Sequence, residues 1–246
     1  MQDIGLDQRL GKALPLDVQF KDETGEVVPL RKYFGQRPVL LALVYYECPM
    51  LCTQVLNGVT KSLKALNFAP GKEFDVVVIS FDPKETPALA AEKKKSYLAR
   101  YGRPDTAAGW HFLTGEAGSI EAVTQAVGFR YKYDPKSAQY AHASGIMLAT
   151  PDGKLARYFY GIDYPTRDLR LGIVEASEER IGTPVDEILL LCFHYDPATG
   201  KYSLAVMRVI QAAAVATVAS IAGFMIFALR RDRRKPAPAA ELEHAS

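Results

Sequence analysis

Two cysteines stand four residues apart in the stretch Cys48-Pro-Met-Leu-Cys52. The apolar residues 38–46 before them predict a buried strand, and the helical spacing of residues 55–66 after them predicts a helix. Side chains four residues apart share one face of a helix, and the free N–H groups at a helix start favour thiolates. Two adjacent thiolates can bind a soft ion such as Cu(I), or they can exchange between dithiol and disulfide.

The spacing of the pair bears on which chemistry it performs. Redox motifs of the thioredoxin type have two residues between their cysteines, whereas this motif has three. Two thiolates alone form an incomplete copper site, and a histidine as third ligand would allow Cu(II) to bind as well. Two buried cysteines serving as small hydrophobic side chains are the simpler alternative. A strand-to-helix junction is where α/β proteins place their sites, and this favours a functional pair.

The elements that must position the pair alternate between strands and helices. The predicted elements are a hairpin around Glu23-Thr-Gly25, a buried strand over 74–81, a helix from the cap Thr86 and Pro87 to Tyr101, a helix from a cap at Ser119 to Val127, antiparallel strands over 145–150 and 155–160, and a helix over 169–176. This order predicts an α/β domain of three layers, α/β/α, with a mixed sheet.

The charge of the chain excludes one class of partner. The formal net charge is +2, and residues 230–246 alone have five basic and three acidic side chains, so residues 1–229 are neutral overall. Binding to nucleic acid by neutralising phosphates would need a broad basic surface, which a neutral body does not supply. Three cysteines are also too few for a disulfide scaffold, so any cysteine chemistry must be local.

The C-terminal part of the chain has the pattern of a membrane anchor. Residues 209–229 contain no charged side chain, and a helix of that length spans roughly 30 Å, the thickness of a bilayer core. The basic cluster from Arg230 to Lys235 predicts a cytoplasmic tail, with the main domain on the outer side. Residues 1–5 do not resemble an export signal, so either a signal was removed, or the start codon lies elsewhere, or the topology is inverted, and we favour the first two explanations.

Several ordered blocks of the sequence resemble the Sco/SenC family. Residues 39–52, in which Tyr45-Tyr46 leads into the cysteine pair, are similar to the signature of that family, and the similarity covers residues 14–171. The further blocks are residues 80–87, 109–115, 127–129, 140–142, 151–153 and 158–161. The resemblance implies a thioredoxin-like fold with an N-terminal β-hairpin, in a membrane-anchored protein that helps to assemble copper centres.

The resemblance also implies a set of site residues. Cys48 and Cys52 would be thiolate ligands of copper, and His142 would be the imidazole ligand. Asp82 falls on a family block and would either orient the site from beyond the ligands or cap a helix. Two features depart from the family: alanines flank His142 where many relatives have an acidic residue and a hydroxyl, and the anchor is C-terminal instead of N-terminal.

Two functions follow from the resemblance as expectations. The first is a metallochaperone that delivers copper, as Cu(I) or Cu(II), to the copper A centre of cytochrome c oxidase subunit II. The second is a thiol–disulfide oxidoreductase, with Cys48 attacking and Cys52 resolving, that reduces the oxidase cysteines. Another copper donor or a thioredoxin-like reductant would be a further partner. The expected location is a bacterial-type inner membrane, with the main domain periplasmic.

The expected organisation is a flexible segment over 1–13, a thioredoxin-like domain with a C-terminal hairpin extension over 14–203, a membrane helix over 205–229 and a disordered tail over 230–246.

Cys192 and His194 share one face of a predicted strand over 188–195. A second metal site or a redox partner for the pair is conceivable there, although a core cysteine beside a half-exposed histidine is the simpler interpretation. His111 is expected to be structural.

Overall fold

The computed structural model describes residues 4–181, 195–196, 201–202 and nine helical positions between 211 and 225. The chain divides into two compact units, Met1–Gly182 and Thr183–Ser246. Among the described residues, no helix has the length and apolar character needed to cross a membrane. Most of the predicted span over 205–229, the whole tail over 230–246, and both Cys192 and His194 lie outside the described residues.

The described strands and helices follow one another in the predicted alternation. The strands are β1 (Gly5–Leu6), β2 (Gln19–Lys21), β3 (Val27–Pro29), β4 (Val39–Val44), β5 (Asp75–Ser80), β6 (Trp110–Leu113), β7 (Phe129–Asp134), β8 (Gln139–His142), β9 (Gly145–Ala149), β10 (Leu155–Tyr160), β11 (Tyr195–Asp196) and β12 (Lys201–Tyr202). The helices are α1 (Leu51–Lys64), α2 (Pro87–Tyr101), α3 (Ala117–Val127) and α4 (Thr166–Ser177).

The central sheet is mixed, as the sequence predicts. Its five strands lie in the order β10-β9-β4-β5-β6, in which β4, β5 and β6 are parallel and β9 runs antiparallel to both β4 and β10. Every residue of β4 and of β5 is buried, which is why β4 and residues 76–79 of β5 are uninterrupted apolar runs in the sequence. In the second unit, β11 and β12 form a short antiparallel pair.

The start of α2 agrees with its predicted cap, whereas the start of α3 does not. Thr86 Oγ1 accepts a hydrogen bond from Leu89 N and Pro87 is the first residue of α2, as predicted. The prediction that Ser119 caps α3 is wrong, because Ile120 N bonds to Glu116 O and the helix therefore starts at Ala117. In the first unit, α1 contacts both α2 and α4, whereas α3 contacts β7.

The N-terminal hairpin of β2 and β3 is present as predicted. Its turn is built on Asp22, whose Oδ1 accepts from Thr24 N and Glu26 N at 2.9 and 3.1 Å, and on Gly25 with φ of +88°. Upstream, the segment over 1–13, which the sequence analysis treats as flexible, makes backbone contacts from Gly5 onward. Gly5 pairs with Arg130 in the register of β1 and β7.

A second, smaller sheet in the order β1-β7-β8 has no counterpart in the predicted elements. Its hairpin places Tyr131 opposite His142 and Tyr133 opposite Tyr140. His142 is therefore the last residue of a strand. Because β9 follows within three residues and pairs with β4, the end of β8 is carried towards the end of β4 that leads to the cysteines.

Candidate metal centre

The two cysteines occupy different backbone settings at the start of α1. Cys52 is the second residue of the helix, whereas Cys48 precedes the helix and its N-cap, Met50. Cys52 N donates to Cys48 Sγ at 3.3 Å, and Tyr45 N donates to Cys52 Sγ at 3.3 Å. The sulfurs thus converge through backbone N–H groups of the strand-to-helix junction, and the expectation that both cysteines stand one turn apart on the helix holds only for Cys52.

His142 meets the cysteines from the other side of the site. Its Nε2 lies 3.1 Å from Cys52 Sγ, although ninety residues separate the two in the chain. Its Nδ1 lies 2.7 Å from the carbonyl oxygen of Ala143, and a carbonyl can only accept, so Nδ1 carries the proton. Nε2 is left with its lone pair directed at the sulfurs, which is the tautomer that a metal-binding imidazole needs.

The three predicted ligands form one compact donor set. The ligand atoms of Cys48, Cys52 and His142 lie within 4.8 Å of one another. Of the residues that the structure describes, these are the ones that form a group of three or more possible metal ligands. Two sulfurs and one imidazole nitrogen are a set that favours copper or zinc over hard ions such as Mg²⁺.

The two thiols differ in their acidity. Hydrogen bonding from Cys52, both from its side chain and from its backbone N–H, lowers the pKa of Cys48 to about 3 against the opposing effect of burial. Burial raises the pKa of Cys52, and the neighbouring sulfur of Cys48 adds to that rise. Without a metal, Cys48 is therefore the thiolate of the pair and Cys52 the thiol.

Aromatic rings surround the imidazole of His142. Phe81 and Tyr45 lie edge-on to it, with ring centroids 5.2 and 6.0 Å away. Phe129 lies at 6.0 Å, and Tyr140 is edge-on to Tyr45 at 5.4 Å. Packing of this kind restricts the ring to one orientation and lowers the access of water to the ligands.

Glu85 holds the junction in place, and the sequence analysis did not identify it. Its carboxylate accepts hydrogen bonds from Tyr46 N and Glu47 N, each at 2.8 Å, and from the hydroxyl of Ser80. Burial raises the pKa of this carboxyl. These bonds connect the loop after β5 to the two residues before Cys48. The available signal is the family block over residues 80–87, which contains Glu85 as well as Asp82.

Asp82 is hydrogen-bonded to Tyr140, a tyrosine beside the site. The hydrogen bonds described for Asp82 do not involve any of the three ligands. Its Oδ1 accepts from Lys84 N at 2.9 Å, and its carboxylate accepts from the hydroxyl of Tyr140. Burial, followed by the charge of Asp82, raises the pKa of Tyr140 to about 12. The N-cap of α2 is Thr86, so Asp82 does not cap that helix.

Comparisons with known proteins identify a matching family and similar folds. The family model described as SCO1/SenC matches residues 7–171. Similar solved structures include a candidate electron transfer protein from Aquifex aeolicus VF5, with 23% identity, a TM-score of 0.61 and coverage of 69% of this chain and 95% of that one. Arabidopsis thaliana ScoI with copper bound has 18% identity, a TM-score of 0.55 and coverage of 70% and 99%.

A third similar structure is that of BsSco, a member of the Sco family of cytochrome c oxidase assembly proteins in which a disulfide switch was identified. It has 23% identity, a TM-score of 0.53 and coverage of 72% of this chain and 99% of that one. At these identities the likeness establishes the thioredoxin-like α/β fold that the sequence predicts. No curated protein matches the sequence.

Proposed function

The chain belongs to the SCO1/SenC family, and we propose that it is a copper chaperone that serves the assembly of cytochrome c oxidase. The observation that carries the proposal is the meeting of Cys48, Cys52 and His142, whose ligand atoms lie within 4.8 Å of one another. In the proposed site, the two sulfurs bind Cu(I), and the imidazole nitrogen completes a set that also accepts Cu(II).

The chemistry of the three residues fits copper as a cargo. Cys48 is already a thiolate, so it can bind an arriving ion without first losing a proton. Cys52 would give up its proton as the metal binds, because a bound cation stabilises the thiolate. The hydrogen bond from Nδ1 to Ala143 keeps Nε2 available throughout.

The similar structures support the choice of copper as the metal and of cytochrome c oxidase as the complex that is assembled. Arabidopsis thaliana ScoI is described with copper bound, and BsSco is described as belonging to a family of oxidase assembly proteins. The recipient we propose is the copper A centre of subunit II, because a binuclear site with cysteine ligands can accept copper by thiolate exchange.

We further propose that the chain is anchored in a bacterial-type inner membrane with the copper site on the periplasmic side. The support is the uncharged run over 209–229 followed by a basic cluster. An anchor would keep donor and recipient in one plane and raise their effective concentration. Fractionation of cells that express the full chain, with protease added to intact spheroplasts, tests this: the domain should sediment with membranes and be cleaved from outside.

One observation favours a second candidate, a thiol–disulfide oxidoreductase. The low pKa of Cys48 and the burial of Cys52 match an attacking and a resolving cysteine, and BsSco contains a disulfide switch. Cys48 thiolate would attack a substrate disulfide and release one thiolate, and Cys52 would displace the second. The substrate gains two electrons and two thiols, this chain becomes the disulfide, and a thioredoxin-like reductant returns it to the dithiol.

Copper analysis of the purified, reduced full chain tests the first function and separates it from the second. We expect about one equivalent of copper per chain, and a thiolate-to-Cu(II) charge-transfer band that disappears in Cys48→Ser. His142→Ala should weaken Cu(II) binding while leaving the dithiol reactive. If the affinity for Cu(II) is the same in His142→Ala and in the natural chain, and both cysteines are needed for disulfide reduction, the chaperone proposal is wrong.

A further inference from the structure

The ligand sulfurs lie beneath the surface, which leaves open how copper reaches them. Cys48 is 7% exposed and Cys52 1% exposed. Metal exchange between a donor and this chain proceeds by ligand substitution, so a ligand of the acceptor must touch the ion before the donor releases it. Neither buried sulfur is well placed to make that first contact.

The thioether sulfur of Met50 belongs to an exposed side chain in the segment between the two cysteines. It lies between the two cysteines, and 65% of its surface is exposed. Among the described residues of the first unit, the other methionine is Met147, which is 1% exposed in β9. A thioether is a soft ligand of the kind that selects Cu(I), and its three rotatable bonds allow it to swing over the adjacent site.

The stability of the fold does not account for this methionine. Met50 is the N-cap residue of α1, with φ of −139° and ψ of −74°, and it makes no side-chain capping hydrogen bond. Serine, threonine, aspartate or asparagine at an N-cap would contribute about 1 kcal/mol to helix stability, which methionine forgoes. It also leaves a large apolar side chain in water, while its carbonyl oxygen, bonded to Gln54 N at 3.1 Å, fixes only the backbone.

We propose that Met50 is a relay ligand for Cu(I), which takes the ion at the surface and passes it to Cys48. The inference rests on the proposed copper-binding function. In the first step a Cu–thioether bond forms as a bond to the external donor breaks, and no electron or proton moves. In the second step Cys48 thiolate displaces the thioether, Cys52 and His142 complete the site, and the Cys52 proton is released to solvent. The same steps in reverse release copper to a recipient.

The test is the rate of Cu(I) exchange between the full chain and a coloured bicinchoninate complex of Cu(I), measured by stopped flow. The probe is a small chelator with no protein surface, so docking between proteins does not enter the result. Met50→Leu keeps the size and apolar character of the side chain and removes the sulfur. We expect exchange to slow at least about tenfold in both directions, a barrier increase of about 1.4 kcal/mol, with unchanged equilibrium affinity.

Met50→Gln is a second variant without the sulfur, and it keeps the length of the side chain. It should slow exchange as much as Met50→Leu does. A normal rate for Met50→Leu overturns the relay, and so does a loss of affinity equal to the loss of rate, since that would make Met50 a permanent ligand or a structural residue. If the natural chain binds no copper at equilibrium, the proposed function itself fails, a result that does not depend on Met50.

Discussion

Near each end of the central sheet lies a partly buried histidine beside aromatic rings, and the two histidines differ in what else surrounds the ring. At the cysteine end, where β4 finishes, His142 faces two sulfurs and is fixed by a carbonyl oxygen. At the opposite end, where β5 and β6 begin, His111 packs on Tyr33 with ring centroids 4.3 Å apart. Asp75, which begins β5 at that same end, is already paired with Arg37 at 3.0 Å.

The difference shows that burial of a histidine does not make a metal site. Burial lowers the pKa of His111 to about 4, so that ring is neutral at pH 7 and could in principle bind a metal. The nearby carboxylate of Asp75, however, has its charge satisfied by Arg37, and no sulfur lies at that end of the sheet among the described residues. His142 is a candidate ligand because two soft donors and an orienting acceptor converge on it.

The largest expected effect on this comparison comes from the sulfurs. Cys48→Ser or Cys52→Ser replaces a soft donor with a hard one, so each variant should lose the thiolate-to-Cu(II) band and most of its Cu(I) affinity. Competition with a Cu(I) chelator and visible absorption measure both. Retention of the band in both variants would show that the copper lies elsewhere.

A smaller loss is expected from the imidazole. His142→Ala should retain Cu(I) on the two sulfurs. Its affinity for Cu(II) should fall by more than the roughly 10- to 100-fold loss that follows when a residue orienting a metal ligand is removed. His111→Gln is the matched control at the other end of the sheet, and its copper affinity should equal that of the natural chain. Equal weakening by both substitutions would remove the distinction between the two histidines.

The next effect concerns the loop that presents Cys48. Glu85→Gln leaves an amide where a carboxylate accepts three hydrogen bonds, so the junction should loosen and the unfolding free energy should fall by about 1–3 kcal/mol. The paramagnetic resonance spectrum of bound Cu(II) should change as well. Glu73→Gln is the control, because Glu73 also accepts a backbone N–H, that of Ala69 at 2.7 Å, outside the site. An unaltered Cu(II) spectrum in Glu85→Gln would mean that the carboxylate only stabilises the fold.

The smallest effect on copper, and a clear effect on stability, is expected from the titration of His111. Its pKa is about 4 in the folded chain and 6.5 as the unperturbed value, so the unfolded chain binds the proton more tightly between these pH values. The stability from the neutral ring is therefore complete above pH 6.5 and is lost as the pH falls towards 4, by at most about 3 to 4 kcal/mol. Denaturant unfolding of the natural chain and of His111→Gln at pH 4.5 and pH 7 measures it, and parallel pH profiles would contradict it.

The parts of the fold that were predicted correctly are those with local signals. The buried runs that became β4 and β5, the turn at Gly25, and the cap of α2 at Thr86 each follow from a few adjacent residues. The hairpin of β7 and β8 lacks the apolar run that marks a core strand, and its signal is only the alternation of aromatic and charged residues in β7. Ser119 is a good capping residue, but the first turn of α3 is closed by the hydrogen bond from Ile120 N to Glu116 O, so the helix starts earlier.

The sequence by itself determined the chemistry of the site: two thiols at a strand-to-helix junction and, through the family blocks, a histidine far along the chain. Only the tertiary structure decided that these groups meet. The β7–β8 hairpin brings His142 Nε2 to 3.1 Å from Cys52, and Ala143 O selects its tautomer. The tertiary structure also makes Cys48 the thiolate of the pair, and it places the carboxylate of Glu85 where it holds the two residues before Cys48. Side-chain type and local propensity are properties of neighbouring residues, whereas ligand convergence, burial and pKa depend on contacts between residues as much as ninety positions apart.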